Sequence, residues 1–257
     1  MKRNNNVVCY NMNGHRPVDK SICFEKKIRD TAQDIRATYG LPLLILFQEV
    51  LAGRNQKFLS LIRVLYPEYE LILPAGFDYV THYKSIMSVT LVRRDALGSY
   101  KVNELDSELP NRTNYIVAEL NGIEMHIINS HLAQVQNFRY QADWYIVERK
   151  RLHDQQWDLL HDALHNNKDE NVIFAGDMQE SKKNSSNLNK LMEDGYIVSG
   201  ASGTKTVRNN FFTEESCIDH IILSHRARAA LGKDTEIIYD NTGVGKYSDH
   251  TLLCLCS

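Results

Sequence analysis

VVCYNMNG, residues 7–14, decides how the rest of the chain is read. Val7, Cys9, Asn11 and Asn13 alternate with Val8, Tyr10 and Met12, as on a pleated strand whose successive side chains point to opposite faces. One face therefore starts apolar and ends in two asparagines. Burying such amides is costly unless something meets them. The arrangement recurs. Leu43, Ile45 and Phe47 lead to Glu49; Ile123, Met125 and Ile127 lead to Asn129 and His131; Ile173 and Ala175 lead to Asp177. Asp219 shares a face with Ile221 and Leu223, and Ser248-Asp249-His250 opens the last apolar run.

Period-two apolar runs lie at 7–13, 43–49, 70–73, 87–93, 115–120, 123–132, 171–177, 217–224, 236–239 and 251–256. Amphipathic stretches of helical spacing lie at 24–39, 58–66, about 139–164 and 188–192. These helices are too few to cross over between every pair of strands, and Asn121-Gly122 is a hairpin-turn sequence. The pattern predicts an α/β fold of two mixed β-sheets packed face to face with helices outside. No Pro- or Gly-rich linker divides residues 1–257, which predicts a single domain.

Hydrophobic residues make up 43% of the chain and charged residues 24%, with a net charge of −2. That balance excludes indiscriminate, charge-driven binding of nucleic acid but leaves room for phosphate at a local site. The opening MKRNNNVVCYNMNG has no apolar signal-peptide core, and no run reaches the roughly 20 apolar residues of a membrane helix. A cytoplasmic protein without a membrane anchor is expected. Cys9, Cys23, Cys217, Cys254 and Cys256 lack CxxC spacing and read as buried, reduced thiols. His161 and His165, four apart on a helix, have nothing nearby to complete a metal site and read as surface residues.

A single carboxylate at a strand end is often a cap or turn residue, and a lone histidine is often a hydrogen-bonded core group. Strand ends that repeatedly deliver Asn, Glu, His and Asp from core-facing positions are instead expected to meet and satisfy one another. Glu49, Asp177 and Asp249 then offer hard oxygen donors beside the Asn13 amide, a set suited to Mg²⁺ or Mn²⁺ rather than zinc. Carboxylates gathered this way need a cation to stay ionised. A hard cation beside two histidines suits phosphoryl transfer.

In this order, YNMNG (10–14), FQEV (47–50), NSHL (129–132), GDMQ (176–179), IDHI (218–221) and SDH (248–250) resemble motifs of the endonuclease/exonuclease/phosphatase (DNase I-like) superfamily. The resemblance spans Tyr10 to His250. It implies a four-layer α/β sandwich with the active site at one edge, and a phosphodiesterase dependent on Mg²⁺ or Mn²⁺. Glu49 is then the expected principal metal ligand, supported by Asn13 and Asp249. Asn11 is expected to hold phosphate or the catalytic aspartate, and Asp177 to orient or activate the attacking water. His250, oriented by Asp219, would contact the scissile phosphate or move a proton. His131 would stabilise the transition state or the leaving oxygen. Gln179 departs from the family's GDxN ending, and its longer amide is expected to position the same phosphate from a shifted backbone.

FQEV (47–50), VIFAGD (172–177) and SDHTLLC (248–254) are similar to tyrosyl-DNA phosphodiesterase-like members of that superfamily. Residues 134–151 carry Phe138, Arg139, Tyr140, Trp144, Tyr145, Arg149, Lys150 and Arg151 just after His131. Aromatic rings stack on bases while Arg and Lys meet phosphates, so Arg139 and Tyr140 are expected to bind a nucleic-acid or nucleotide phosphodiester. An amphipathic helix burying its aromatics is the competing explanation. The expected activity is that of a nuclease or a DNA/RNA-end-processing enzyme. Two alternatives stand beside it: a phosphatase acting on a small phosphorylated molecule or lipid head group, and a catalytically degenerate binding protein of the same fold. Nothing in the sequence sets the oligomeric state.

Overall fold

In the computed structural model, which describes residues 5–14, 23–135, 141–200, 206–207, 217–232, 235–240 and 248–256, the period-two runs form two six-stranded sheets. Across the first sheet the order is β11 (Glu236–Asp240), β12 (Leu252–Cys256), β1 (Val7–Asn11), β2 (Leu44–Leu51), β4 (Ile86–Arg93) and β3 (Tyr69–Ile72). Across the second it is β5 (Leu97–Asn103), β6 (Thr113–Leu120), β7 (Ile123–His131), β8 (Val172–Asp177), β10 (Asp219–Leu223) and β9 (Ile197–Val198). Each sheet has one parallel pair at its centre, β1 with β2 and β7 with β8, flanked by antiparallel strands. Both sheets are therefore mixed.

Between the sheets, Val7, Cys9, Leu44 and Leu46 of the first face Ile127, Ile173, Ala175 and Ile221 of the second. Opposite parity faces outward. Val8, Tyr10, Ile45 and Phe47 pack under α1 (Phe24–Tyr39) and α2 (Lys57–Leu65). Ile128, Phe174 and Ile222 pack under α3 (Asp143–Asn166) and α4 (Ser186–Glu193). The result is four layers, helix–sheet–sheet–helix. In α1 the apolar stripe Ile28, Ala32, Ile35 and Tyr39 recurs at helical spacing, and Gly40 at φ 69° ends the helix. Each fully buried Ile or Leu in these layers stabilises by about 1.5–3 kcal/mol.

Asn121 (φ 52°) and Gly122 (φ 81°) join β6 to β7 as a two-residue turn with both central residues left-handed, as their sequence predicts. Three elements escape the sequence patterns. β5 is an exposed edge strand without a clean apolar alternation, β9 has two residues, and α5 (His225–Leu231) is a short helix capped by Ser224. Cys9, Cys217 and Cys254 are buried, whereas Cys23 is exposed. His161 is also buried, stacked on Trp157 and bonded to Asn187, while His165 is at the surface. Among the described residues, no helix is long and apolar enough to cross a membrane.

Candidate active site

The carboxyl ends of both central parallel pairs fall at the same edge of the sandwich. In the second sheet the register sets Asp177 directly between His131 of β7 and Asp219 of β10. The inward parity of Ile173 and Ala175 carries on to Asp177, and that of Ile221 and Leu223 back to Asp219. Gly176 permits this close approach: at φ 146°, a Cβ there would lie 1.8 Å from Ser130 O. Asn129 faces the same interior and ties the sheets together. Its Nδ2 donates to Phe47 O and Val89 O at 3.1 and 2.8 Å, and Gln48 Nε2 donates to its Oδ1 at 2.7 Å.

Glu49 reaches the site by a different route. Strict alternation would put it with Ile45 and Phe47 on the face under α1 and α2. The β2–β4 register slips between Phe47 and Val50, and Glu49 adopts φ 54°. This bulge turns the carboxylate to the sheet edge, where Oε1 lies 3.6 Å from His131 Nε2 and accepts a 3.4 Å contact from Asn11 Nδ2. Residue parity alone thus gave the wrong reason for a position that the bulge supplies.

Asp177, fully buried, is the hub. Gln179 Nε2 donates to both its oxygens at 2.8 Å, Gln179 N to Oδ1 at 3.1 Å, and Asn11 Nδ2 to Oδ2 at 3.1 Å. His131 Nε2 and His250 Nε2 stand 3.6 and 3.7 Å from Oδ2. Burial and the neighbouring Asp219 push the Asp177 carboxyl up to about 7. His250 Nδ1 lies 3.0 and 3.1 Å from the two oxygens of Asp219. Burial alone would lower the His250 pKa, but Asp219 and Asp177 outweigh it and raise it well above the ordinary value. With Nδ1 given to Asp219, Nε2–H is the free donor of an imidazolium.

Asn13, at φ 45°, donates from Nδ2 to Asp249 Oδ1 at 2.6 Å. Asn11 lies fully buried beneath the carboxylates, where it bonds Asp177 and Glu49 and accepts Asn13 N at 2.8 Å. It therefore sits on the aspartate side of the two roles its motif implies. Gln179 likewise turns its amide onto Asp177. Arg139 and Tyr140 lie outside the described residues.

Two cations of the site carry no motif in the sequence. Arg112, in a single 3₁₀ turn before β6, puts Nη1 2.6 Å from His131 Nδ1. The same Nη1 lies 3.2 Å from His131 Nε2, so the guanidinium meets both nitrogens of the ring. Burial lowers the Arg112 pKa to about 10 while Glu49 supports its charge, so it stays cationic at neutral pH. Lys27, on the buried face of α1, donates to Met12 O and Asn13 O at 2.9 and 3.1 Å. Burial lowers its pKa to about 8, against the pull of Asp249 and Glu49. A lysine inside the apolar stripe of α1 was the available signal for it.

These groups surround a cleft of about 290 Å³ that also takes in Tyr145 and Arg149 of α3. The oxygen-rich donor set fits a hard divalent cation. Two groupings could hold one. Asp177, Asp219 and His250 offer ligand atoms within 4.8 Å of one another, yet all three are buried and already hydrogen-bonded to each other or to Gln179 and Asn11. Glu49, Asp249 and Asn13 line the cleft, and the two carboxylates keep 16% and 28% of their side-chain surface open. The second grouping is the better fit.

No protein-family model matches the sequence, and no curated protein matches it. Solved structures match over nearly the whole chain. TDP2 from C. elegans has a TM-score of 0.66 at 14% identity, covering 99% of this chain and 75% of that one. An endonuclease/exonuclease/phosphatase from Bacteroides vulgatus has 0.65 at 16%, covering 99% and 98%. D. rerio TDP2 complexed with a single-strand DNA product has 0.60 at 12%, covering 98% of each. At such identities the likeness is one of fold. The chain has the fold of these endonuclease/exonuclease/phosphatase structures, TDP2 among them.

Proposed function

We propose that residues 1–257 form one catalytic domain, a Mg²⁺- or Mn²⁺-dependent phosphodiesterase that cleaves nucleic acid or processes its ends. One observation carries the proposal: an imidazolium fixed by a buried carboxylate, a second imidazole fixed by an arginine and an open pair of carboxylates all face one cleft. Glu49 and Asp249, with Asn13, would hold the cation, which when bound draws charge from a phosphoryl oxygen. His250 donates its Nε2–H to a non-bridging oxygen of the scissile phosphate, and Asp219 keeps that proton in place. His131, held in place by Arg112, faces the charge that develops in the transition state. Asp177, set between the two imidazoles, accepts the proton of the attacking water. Asn11 and Gln179 fix its two oxygens.

A nucleic-acid substrate is supported by Tyr145 and Arg149 in the cleft wall and by the DNA product bound to the D. rerio relative. The test is a panel of single- and double-stranded DNA, RNA, tyrosyl-linked ends and simple phosphate esters, each with Mg²⁺ or Mn²⁺. Cleavage of nucleic acid above the simple esters supports the proposal. Preference for a small monoester points to a phosphatase, and no cleavage by pure protein with either metal points to a binding protein.

A further inference from the structure

Behind the cleft, one histidine that takes no part in the chemistry above bridges the loops after β7 and β8. His153, on α3, is 2% exposed. Its Nδ1 lies 2.8 Å from Ala133 O, two residues beyond His131, and its Nε2 lies 2.8 Å from Glu180 Oε1, next to Gln179. A backbone carbonyl and a carboxylate only accept, so a ring that makes both bonds donates from both nitrogens. Gln156, three residues along the same helix, accepts Ala133 N at 2.8 Å through Oε1. The Ala133 peptide is thus gripped on both its polar groups.

Glu180 is equally engaged. Its carboxylate also accepts from Ser185 Oγ and from Asn187 Nδ2, the latter at 2.9 Å, and His220 Nε2 meets its backbone oxygen at 2.9 Å. Asn187 in turn meets His161. Burial opposes ionisation of Glu180, but the bonds from His153, Ser185 and Asn187 outweigh it and hold the carboxyl below its ordinary value. A buried ion pair of this kind adds little net stability, since desolvation offsets the attraction. Its geometry is more telling. The β7–β8 ladder ends with Leu132 N donating to Asp177 O at 2.9 Å, and His153 bridges the two chains beyond that point. His131 Nε2 and Asp177 Oδ2 stand 3.6 Å apart, a gap that no direct hydrogen bond sets.

We propose that His153 is a positioning residue that, paired with Glu180, clamps the loop after His131 to the loop after Asp177 and so fixes the spacing of those two groups. The role rests on the phosphodiesterase proposed above. His153→Gln keeps one donor and one acceptor and cannot make both bonds; His153→Arg restores two donors; Glu180→Gln removes the charge and keeps the shape. In His153→Gln, amide exchange should quicken together in 131–135 and 177–181. With bis(4-nitrophenyl) phosphate and Mn²⁺, kcat should fall by about tenfold or more with KM little changed, because small misplacements of reacting groups carry that cost, and His153→Arg should recover part of it. Faster exchange in only one segment or in neither, or a lowered melting temperature with kcat intact, would overturn the clamp. If His153→Gln does not fold, Glu180→Gln gives the same readouts. If the wild type cleaves no ester, the phosphodiesterase fails, while amide exchange still decides the clamp.

Discussion

The two sheets build their shares of the site in opposite ways. The second works by regularity: in-register β7, β8 and β10 place His131, Asp177 and Asp219 side by side, buried and hydrogen-bonded. The first works by irregularity. A bulge and a left-handed Glu49, a left-handed Asn13 and a buried Lys27 under the Asn13 carbonyl turn oxygen donors outward to the cleft. The proposed function gives the division a chemical reason. Groups that hold or pass protons gain from a dry, fixed setting, whereas a cation must enter from water and needs donors that stay partly open. His250 joins the halves, standing before β12 of the first sheet and bonding Asp219 of the second.

Perturbing each half should separate these roles. The largest effect is expected for Glu49→Ala, which removes the carboxylate best placed for the cation. Metal-supported hydrolysis should fall by roughly 10³-fold or more, with circular dichroism and melting temperature little changed. A large drop in melting temperature would give Glu49 a structural part instead. Next is Asp219→Asn, which breaks the His250 pair. Because the native His250 pKa is raised, the pair's stability is fully present below the unfolded value of roughly 6.5 and fades as pH rises through the native value. Urea unfolding should show a deficit of about 3 kcal/mol at pH 6 that shrinks in alkali. A deficit growing with pH would show that His250 is not the titrating partner.

Lys27→Met should cost about 1–3 kcal/mol by removing the buried donor to the Met12 and Asn13 carbonyls, and should weaken Mn²⁺ binding through the Asn13 turn. Unchanged metal affinity would detach Lys27 from the cation half. The smallest effect is expected for Gln179→Asn, whose shorter amide cannot span both oxygens of Asp177. Turnover should change by less than about tenfold, with metal affinity untouched. A loss of metal affinity would move Gln179 to the other half.

The same contrast explains what the sequence disclosed. Alternation survives in a regular strand, so the inward positions of Asn129, His131, Asp177 and Asp219 follow from their apolar neighbours. It fails at a bulge. Parity with Ile45 and Phe47 singles out Glu49, but that face lies under the helices, and the bulge is what brings Glu49 to the site. Arg112 and Lys27 went unnoticed because one precedes a strand in a polar turn and the other sits among the charges of α1. The layered fold was legible because its core runs are long and apolar, and β5 was missed because an exposed edge strand buries too little to keep a pattern.

The division of labour is tested most directly by Mn²⁺ binding, followed by electron paramagnetic resonance, alongside single-turnover cleavage in Glu49→Gln and Asp219→Asn. Glu49→Gln should lose the bound ion and turnover together. Asp219→Asn should keep the ion and lose turnover. The opposite outcome, an ion lost from Asp219→Asn and retained by Glu49→Gln, would place the cation on the buried Asp177, Asp219 and His250 group and contradict the account.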